Sequence, residues 1–193
     1  MDFWGTPDTS VRFCEKKYTH YSWIAEYHNT ISSIYYILAA LPFIKTKISK
    51  VAWSCIGVGI GSMMLHGTVR FYGQWVDELS MLFFSYNSLR HIDKRFPTMS
   101  PFLIAVYLTH WKFFPVFISV FLSMQLRILY LLSKRKKNKL LLKLYVFFFT
   151  LGFSCWITDK FVGERYEKYK LHAYWHFFTA LSMLSSMKLL LTY

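Results

Sequence analysis

Acidic side chains are scarce in this 193-residue chain: 10 Asp and Glu stand against 23 Lys and Arg, leaving a formal net charge of +13. In a soluble protein such an excess points to nucleic acid, but the placement of the charges argues otherwise. Lys45, Lys47 and Lys50 fall in one loop, Arg90, Lys94 and Arg95 in a second, and Lys134, Arg135, Lys136, Lys137 and Lys139 in a third, with only Asp93 opposing them. The stretch carrying Asp159, Lys160, Glu164, Arg165, Glu167, Lys168 and Lys170 is nearly balanced. Under the positive-inside rule the three basic loops face the cytosol and the balanced segments face the lumen or exterior. The charge is a topology signal, and no nucleic-acid partner is expected.

Cysteine is equally sparse, three residues in all, too few for a disulfide scaffold. Cys55 and Cys155 lie inside apolar runs and read as packing residues. The chain shows no internal repeat and no low-complexity linker, so one domain over 1–193 is expected. Residues 1–30 lack an apolar run and carry scattered charges, so no cleavable signal peptide is expected.

What the chain has in abundance is apolar surface, 54% hydrophobic and 21% aromatic, more than one soluble core of this size needs. The expected fold is all-α, a polytopic membrane protein. A single crossing by 97–133 would put the second and third basic loops on opposite sides, so that stretch must cross twice. Its roughly 37 residues barely suffice, since a span needs about 17 or more. The expectation is a seven-transmembrane helix bundle with helices near 27–45, 51–71, 75–91, 97–109, 113–133, 140–158 and 171–191. Residues 1–26 form a lumenal amino-terminal segment, and the carboxyl terminus is cytosolic.

Against this background the histidines stand out. Imidazole at bilayer depth is unfavourable unless something pairs or coordinates it. His66 lies inside one apolar helix, and His172 and His176 lie one turn apart on a face of another. By the expected topology, His66 sits roughly 8 Å below the lumenal end of its helix, counting 1.5 Å per residue. His172 and His176 fall near the same depth, and Asp77 joins them. Three neutral imidazoles with a fourth position open to water suit a catalytic rather than a structural zinc. Such a metal acidifies water and polarises a carbonyl, the chemistry of amide or ester hydrolysis. Ser62, four residues before His66, shares its helix face and is a candidate oxyanion donor. Asp77 is a candidate general base and acid. Each has a plainer reading: His66 as an interhelical hydrogen-bond partner, Ser62 with Gly59 and Gly61 as a close-packing surface, and Asp77 with Glu78 and Gln74 as an interfacial helix start.

Five segments together resemble the alkaline ceramidases: 14–18 (CEKKY), 24–30 (IAEYHNT), 59–68 (GIGSMMLHGT), 74–81 (QWVDELSM) and 172–176 (HAYWH). These are seven-helix membrane amidases of a superfamily that includes adiponectin-type receptors. The resemblance covers nearly the whole chain and implies a buried zinc site with His66, His172 and His176 as ligands and Ser62 and Asp77 as catalytic residues. It implies hydrolysis of ceramide to a sphingoid base and a free fatty acid, with Zn2+ as cofactor, a membrane lipid as partner, no obligate protein partner, and residence in the endoplasmic reticulum or Golgi. The alternative within the same superfamily is a receptor-like or lipid-sensing protein with weak or no hydrolase activity.

Two departures from the family's pattern stand out. In the family the segment before the first helix resembles a small calcium loop; here Phe13, Glu15 and Glu26 match it, whereas Arg12 and Lys17 stand where an acidic and an amide ligand are expected. Two cations there repel Ca2+. The expectation is that Arg12 and Lys17 pair with Glu15 and Glu26 and replace the calcium charge; the plainer alternative is that they are solvated loop charges. Family members also tie the equivalent of Cys14 to a lumenal cysteine, whose matching place here is Gly163, so no disulfide is expected. The chain is short for the family around the fourth helix.

Overall fold

A computed structural model describes residues 3–97, 114–134 and 138–193. The described residues are helical apart from an irregular amino-terminal segment and short connections. The expected helix at 97–109 lies outside the described residues, apart from its first position.

The first expected helix, 27–45, is broken into α1 (Tyr27–Ser32), α2 (Ile34–Ala40) and a 3-10 turn (Leu41–Phe43). The hydroxyls of Ser32 and Ser33 both bond back to Asn29 O, at 3.1 and 2.8 Å, a back-bonding that bends helices. Pro42, which lacks an N–H, then prevents α2 from continuing. α3 spans Ser49–Thr68 and ends before the expected residue 71, because Val69 turns into the left-handed region with φ at 49°. α4 spans Phe71–Ile92, starting four residues earlier than expected. Its first N–H, on Phe71, donates to Asp8 Oδ1 at 2.6 Å, a cap supplied from 63 residues away. α5 spans Phe114–Lys134. α6 spans Lys139–Tyr166, eight residues beyond the expected end, with Asn138 Oδ1 capping Leu141 N at 3.0 Å. α7 spans Leu171–Leu191, as the sequence pattern indicates.

α3 packs chiefly on α4, and α6 on α7, with a shared core that includes Cys55, Val58, Phe84, Leu89, Ile128, Met187 and Leu190. α5 buries a stripe at Phe117, Phe121, Gln125, Ile128 and Leu132, with three- and four-residue steps. Gln125 is held from both sides: it donates to Ser85 Oγ at 2.7 Å and accepts from Tyr145 OH at 2.8 Å. The outer surface is apolar instead, with Leu126, Leu140, Phe147 and Phe161 each more than half exposed. Polar groups inside and large apolar groups outside is the distribution a lipid surrounding favours. Among the described residues, α5 and the α6 stretch Lys139–Gly163 are long and apolar enough to cross a membrane.

Two glycines set the α3–α4 distance. A Cβ on Gly61 would lie 2.4 Å from Asp77 N, and one on Gly73 would lie 2.5 Å from Leu65 N. Backbone cannot yield there as a side chain can, so Gly61→Ala is expected to lose about 1–3 kcal/mol by overpacking, read as a lower thermal midpoint in detergent. Gly67→Ala is the control, since its Cβ would meet Thr30 Cγ2 at an ordinary 3.8 Å. An equal drop in both variants would show that close approach at Gly61 is not what matters.

Candidate metal centre

The amino-terminal segment folds over the end of the bundle where α3 stops and α7 starts. Ala25 N and Glu26 N donate to Gly67 O and His66 O, both at 2.9 Å, so this segment is pinned to the last turn of α3. Ser10 pairs with Gln74 through two hydrogen bonds of 2.8 and 2.6 Å, and Gln74 donates to Glu78 Oε1 at 2.7 Å. Arg70 donates to Trp4 O at 2.8 Å and meets Asp8 at 3.1 Å.

Beneath this strap the three histidines of the sequence reading converge. His66, His172 and His176 are all buried, and each offers a ligand atom within 4.8 Å of the others'. Two of the rings are oriented by partners. His66 Nδ1 lies 2.6 Å from Glu26 Oε2, so with Nδ1–H donating to the carboxylate its Nε2 keeps a free lone pair. His176 Nδ1 lies 2.8 Å from Ser32 Oγ, which turns Nε2 toward Ser62. His172 Nδ1 is buried with no hydrogen-bond partner among the described residues. Three buried imidazoles whose ligand atoms converge, one of them with an unpartnered ring nitrogen, fit a cation held by three histidines with one position left over.

Ser62 Oγ is 3.3 Å from His176 Nε2 and 2.8 Å from Ser33 Oγ. Asp77 lines the same cavity as Ser62, His172 and His176, brought there by the close approach at Gly61. The opposite wall is aromatic: Phe114, Phe117 and Phe121 of α5, Phe153 and Trp156 of α6, and Trp175 of α7. Polar side chains at the histidine end and aromatic side chains elsewhere thus line one cavity.

The expected calcium-loop residues take varied roles. Glu26, 1% exposed, accepts from His66 and from Asn29 Nδ2 at 3.2 Å, and its other oxygen lies 3.6 Å from Lys17 Nζ. Glu15 does not pair with Arg12. Its two oxygens accept the N–H groups of His28 and Asn29 at 2.7 and 2.9 Å, and Arg12 is exposed with no ion pair among the described residues. Backbone donors at the start of α1 outcompete a long exposed side chain for that carboxylate. Phe13 contributes its ring rather than only a carbonyl, packing on His172 and His66 at centroid distances of 4.1 and 4.6 Å. Cys14 donates to Asp159 O at 3.1 Å, and a Cβ on Gly163 would lie 2.1 Å from its sulfur, so the position opposite the thiol has no side chain.

Ser32, Ser33 and the pairing of Glu26 with His66 emerge only in the structure. The signal for them is the polar run from Glu26 to Ser33, too polar for a lipid-facing helix and buried at Asn29, Ser32 and Ser33.

A helical bundle that buries three imidazoles and a hydroxyl and sets the partly buried Asp77 carboxylate in the same aromatic-lined region has side chains that could hold a metal ion. The Ceramidase family model matches residues 5–193, and the chain belongs to that family. It is 26% identical to an alkaline ceramidase of Arabidopsis thaliana, over 93% of this chain and 82% of that protein. It is 29% identical to an alkaline ceramidase of Drosophila melanogaster, over 87% of this chain and 71% of that one. An alkaline ceramidase of Saccharomyces cerevisiae is 33% identical over a shorter stretch, 42% of this chain and 28% of the yeast protein.

Proposed function

We propose that this protein is a zinc-dependent intramembrane hydrolase that cleaves the N-acyl amide of ceramide into a sphingoid base and a free fatty acid. The observation that carries the reading is the convergence of His66, His172 and His176 beside Ser62 Oγ, with Asp77 on the same cavity wall. His66, His172 and His176 would hold the ion, which when bound supplies an acidified water and a polarised carbonyl. Asp77 takes the proton from the attacking water at its carboxylate and delivers it to the leaving amine nitrogen. Ser33 donates to Asn29 O, so the Ser62 proton rests on Ser33 Oγ and turns to the carbonyl oxygen as negative charge develops there. The aromatic wall holds the acyl chain, and Phe13 covers two of the imidazoles from the strap side.

The proposal includes seven membrane crossings with the amino terminus lumenal and residence in the endoplasmic reticulum or Golgi. The apolar outer surface and the charge asymmetry of the loops support it. The test is incubation of purified protein with a panel of ceramides of different chain lengths, measuring free sphingoid base. Release above a His172→Ala control is expected; none on any chain length ends the reading.

Calcium is not part of this mechanism. The Lys17 ammonium stands beside Glu26 Oε1 at 3.6 Å, so the buried carboxylate that orients His66 already has its positive partner, and a second cation there is repelled. Hydrolysis is expected to persist in excess Ca2+-selective chelator. Loss that added Ca2+ restores would contradict this.

A further inference from the structure

On the outer side of Phe13 lies a second concavity, a cleft of about 810 Å³ between residues 12–17 and residues 160–165 at the end of α6. Five cations line it: Arg12, Lys16, Lys17, Lys160 and Arg165. Among the described side chains their counter-charges are few and already engaged. Lys17 is paired with Glu26. Glu167 is shared by Lys16 at 3.6 Å and Lys170 at 2.5 Å, and its hydrogen bond to Lys170 holds its carboxyl below the usual range. Glu15 is occupied by two backbone N–H groups, and Asp159 is buried. Arg12 and Arg165 have no ion pair among the described residues and are exposed.

The cleft borders the histidine cavity in two places. Phe13 lines both. Lys160 Nζ lies 4.3 Å from the centre of the Phe114 ring and 5.1 Å from that of Trp156, and both rings form the aromatic wall of the cavity. A lipid with its amide at the histidines can therefore reach the cations with its head past Phe13. Ceramide presents only a neutral hydroxyl there, which leaves Arg12, Lys160 and Arg165 without an ion-pair partner among the described residues.

Resting on the reading above, we propose that the cleft binds an anionic head, and that N-acyl sphingoid bases carrying a phosphate on the primary hydroxyl belong to the substrate class of this site. Arg165 and Arg12 present guanidinium forks to the phosphate oxygens, and Lys160 adds a point charge at the shared wall. The reaction is unchanged: water adds to the amide carbonyl, the C–N bond breaks, the amine takes the proton, and the phosphate ester remains intact.

The test compares hydrolysis of the phosphorylated and the neutral lipid by the full-length protein and by a Lys160→Gln, Arg165→Gln double variant. The ratio of kcat/KM, phosphorylated over neutral, is expected to fall about tenfold or more in the variant, the effect of losing charge-assisted hydrogen bonds. Equal losses on both lipids would overturn the proposal. A second readout needs no turnover and no altered cleft: equilibrium binding of the phosphorylated lipid to Asp77→Asn protein, which should weaken with ionic strength more than binding of the neutral lipid does. Inorganic phosphate and vesicles of an anionic glycerophospholipid are the competitors. Displacement by either at the same concentration as the phosphorylated lipid would show a general anion surface and overturn the proposal. Failure of ceramide hydrolysis in the unaltered protein would end the hydrolase reading, while the binding measurement still decides the cleft.

Discussion

Asp77→Asn is expected to lower kcat for ceramide hydrolysis by about 10²–10⁴-fold, the usual contribution of a positioned general acid–base. The substitution keeps the size of the side chain and the α3–α4 contact at Gly61, so packing is preserved while proton transfer is lost. Zinc content should stay at the level of the unaltered protein, because Asp77 is not among the three converging imidazoles. That pairing of outcomes separates a proton carrier from a structural carboxylate. If Asp77 only began an interfacial helix turn, hydrolysis would survive. Its place argues against that: α4 begins at Phe71, and Asp77 sits in the second turn, lining the cavity with Ser62, His172 and His176.

Glu26→Gln should weaken zinc binding by about 10–100-fold, the range for removing a carboxylate that orients a metal-ligating histidine. The carboxylate is nearly fully buried, accepts from His66 at 2.6 Å and is balanced by Lys17 at 3.6 Å. A glutamine preserves a hydrogen bond to the ring but removes the charge that makes the other ring nitrogen more basic. The readout is a zinc-binding isotherm with a competing chelator, and high zinc during assay should restore much of the activity. Unchanged zinc affinity would show that the Glu26–His66 contact holds the strap and nothing more. Loss that zinc does not restore would place Glu26 in the chemistry itself.

What the sequence made legible was the set of residues that violate their surroundings. Imidazoles in apolar helices need a partner, and helical spacing plus charge asymmetry put His66, His172, His176 and Asp77 at one level; the structure groups the three imidazoles and lines one cavity with His172, His176 and Asp77. α7 was readable to the residue, because its apolar run is bounded on both sides. The misplaced boundaries have non-local causes. Asp8 starts α4 from across the chain, and nothing near residue 71 announces it. Back-bonding by Ser32 and Ser33 breaks the first helix where periodicity alone runs on. α6 continues past its apolar run because charged residues at its exposed end need no apolar periodicity to remain helical.

The amino-terminal loop was half legible. Opposite charges within 26 residues suggested two ion pairs, and one of them, Lys17 with Glu26, is present. The other is replaced by backbone donors at the start of α1, a competition that depends on where α1 begins. The partner of His66 was hidden for a similar reason. Glu26 lies 40 residues away, in a segment whose approach depends on its backbone pairing with the end of α3.

The most direct measurement is metal content alongside turnover. About one zinc per chain is expected in the purified protein, lost in His172→Ala, with hydrolysis of ceramide abolished by stripping the metal and restored by adding zinc back. Full release of sphingoid base from metal-free protein, or unaltered zinc content in His172→Ala, would contradict it.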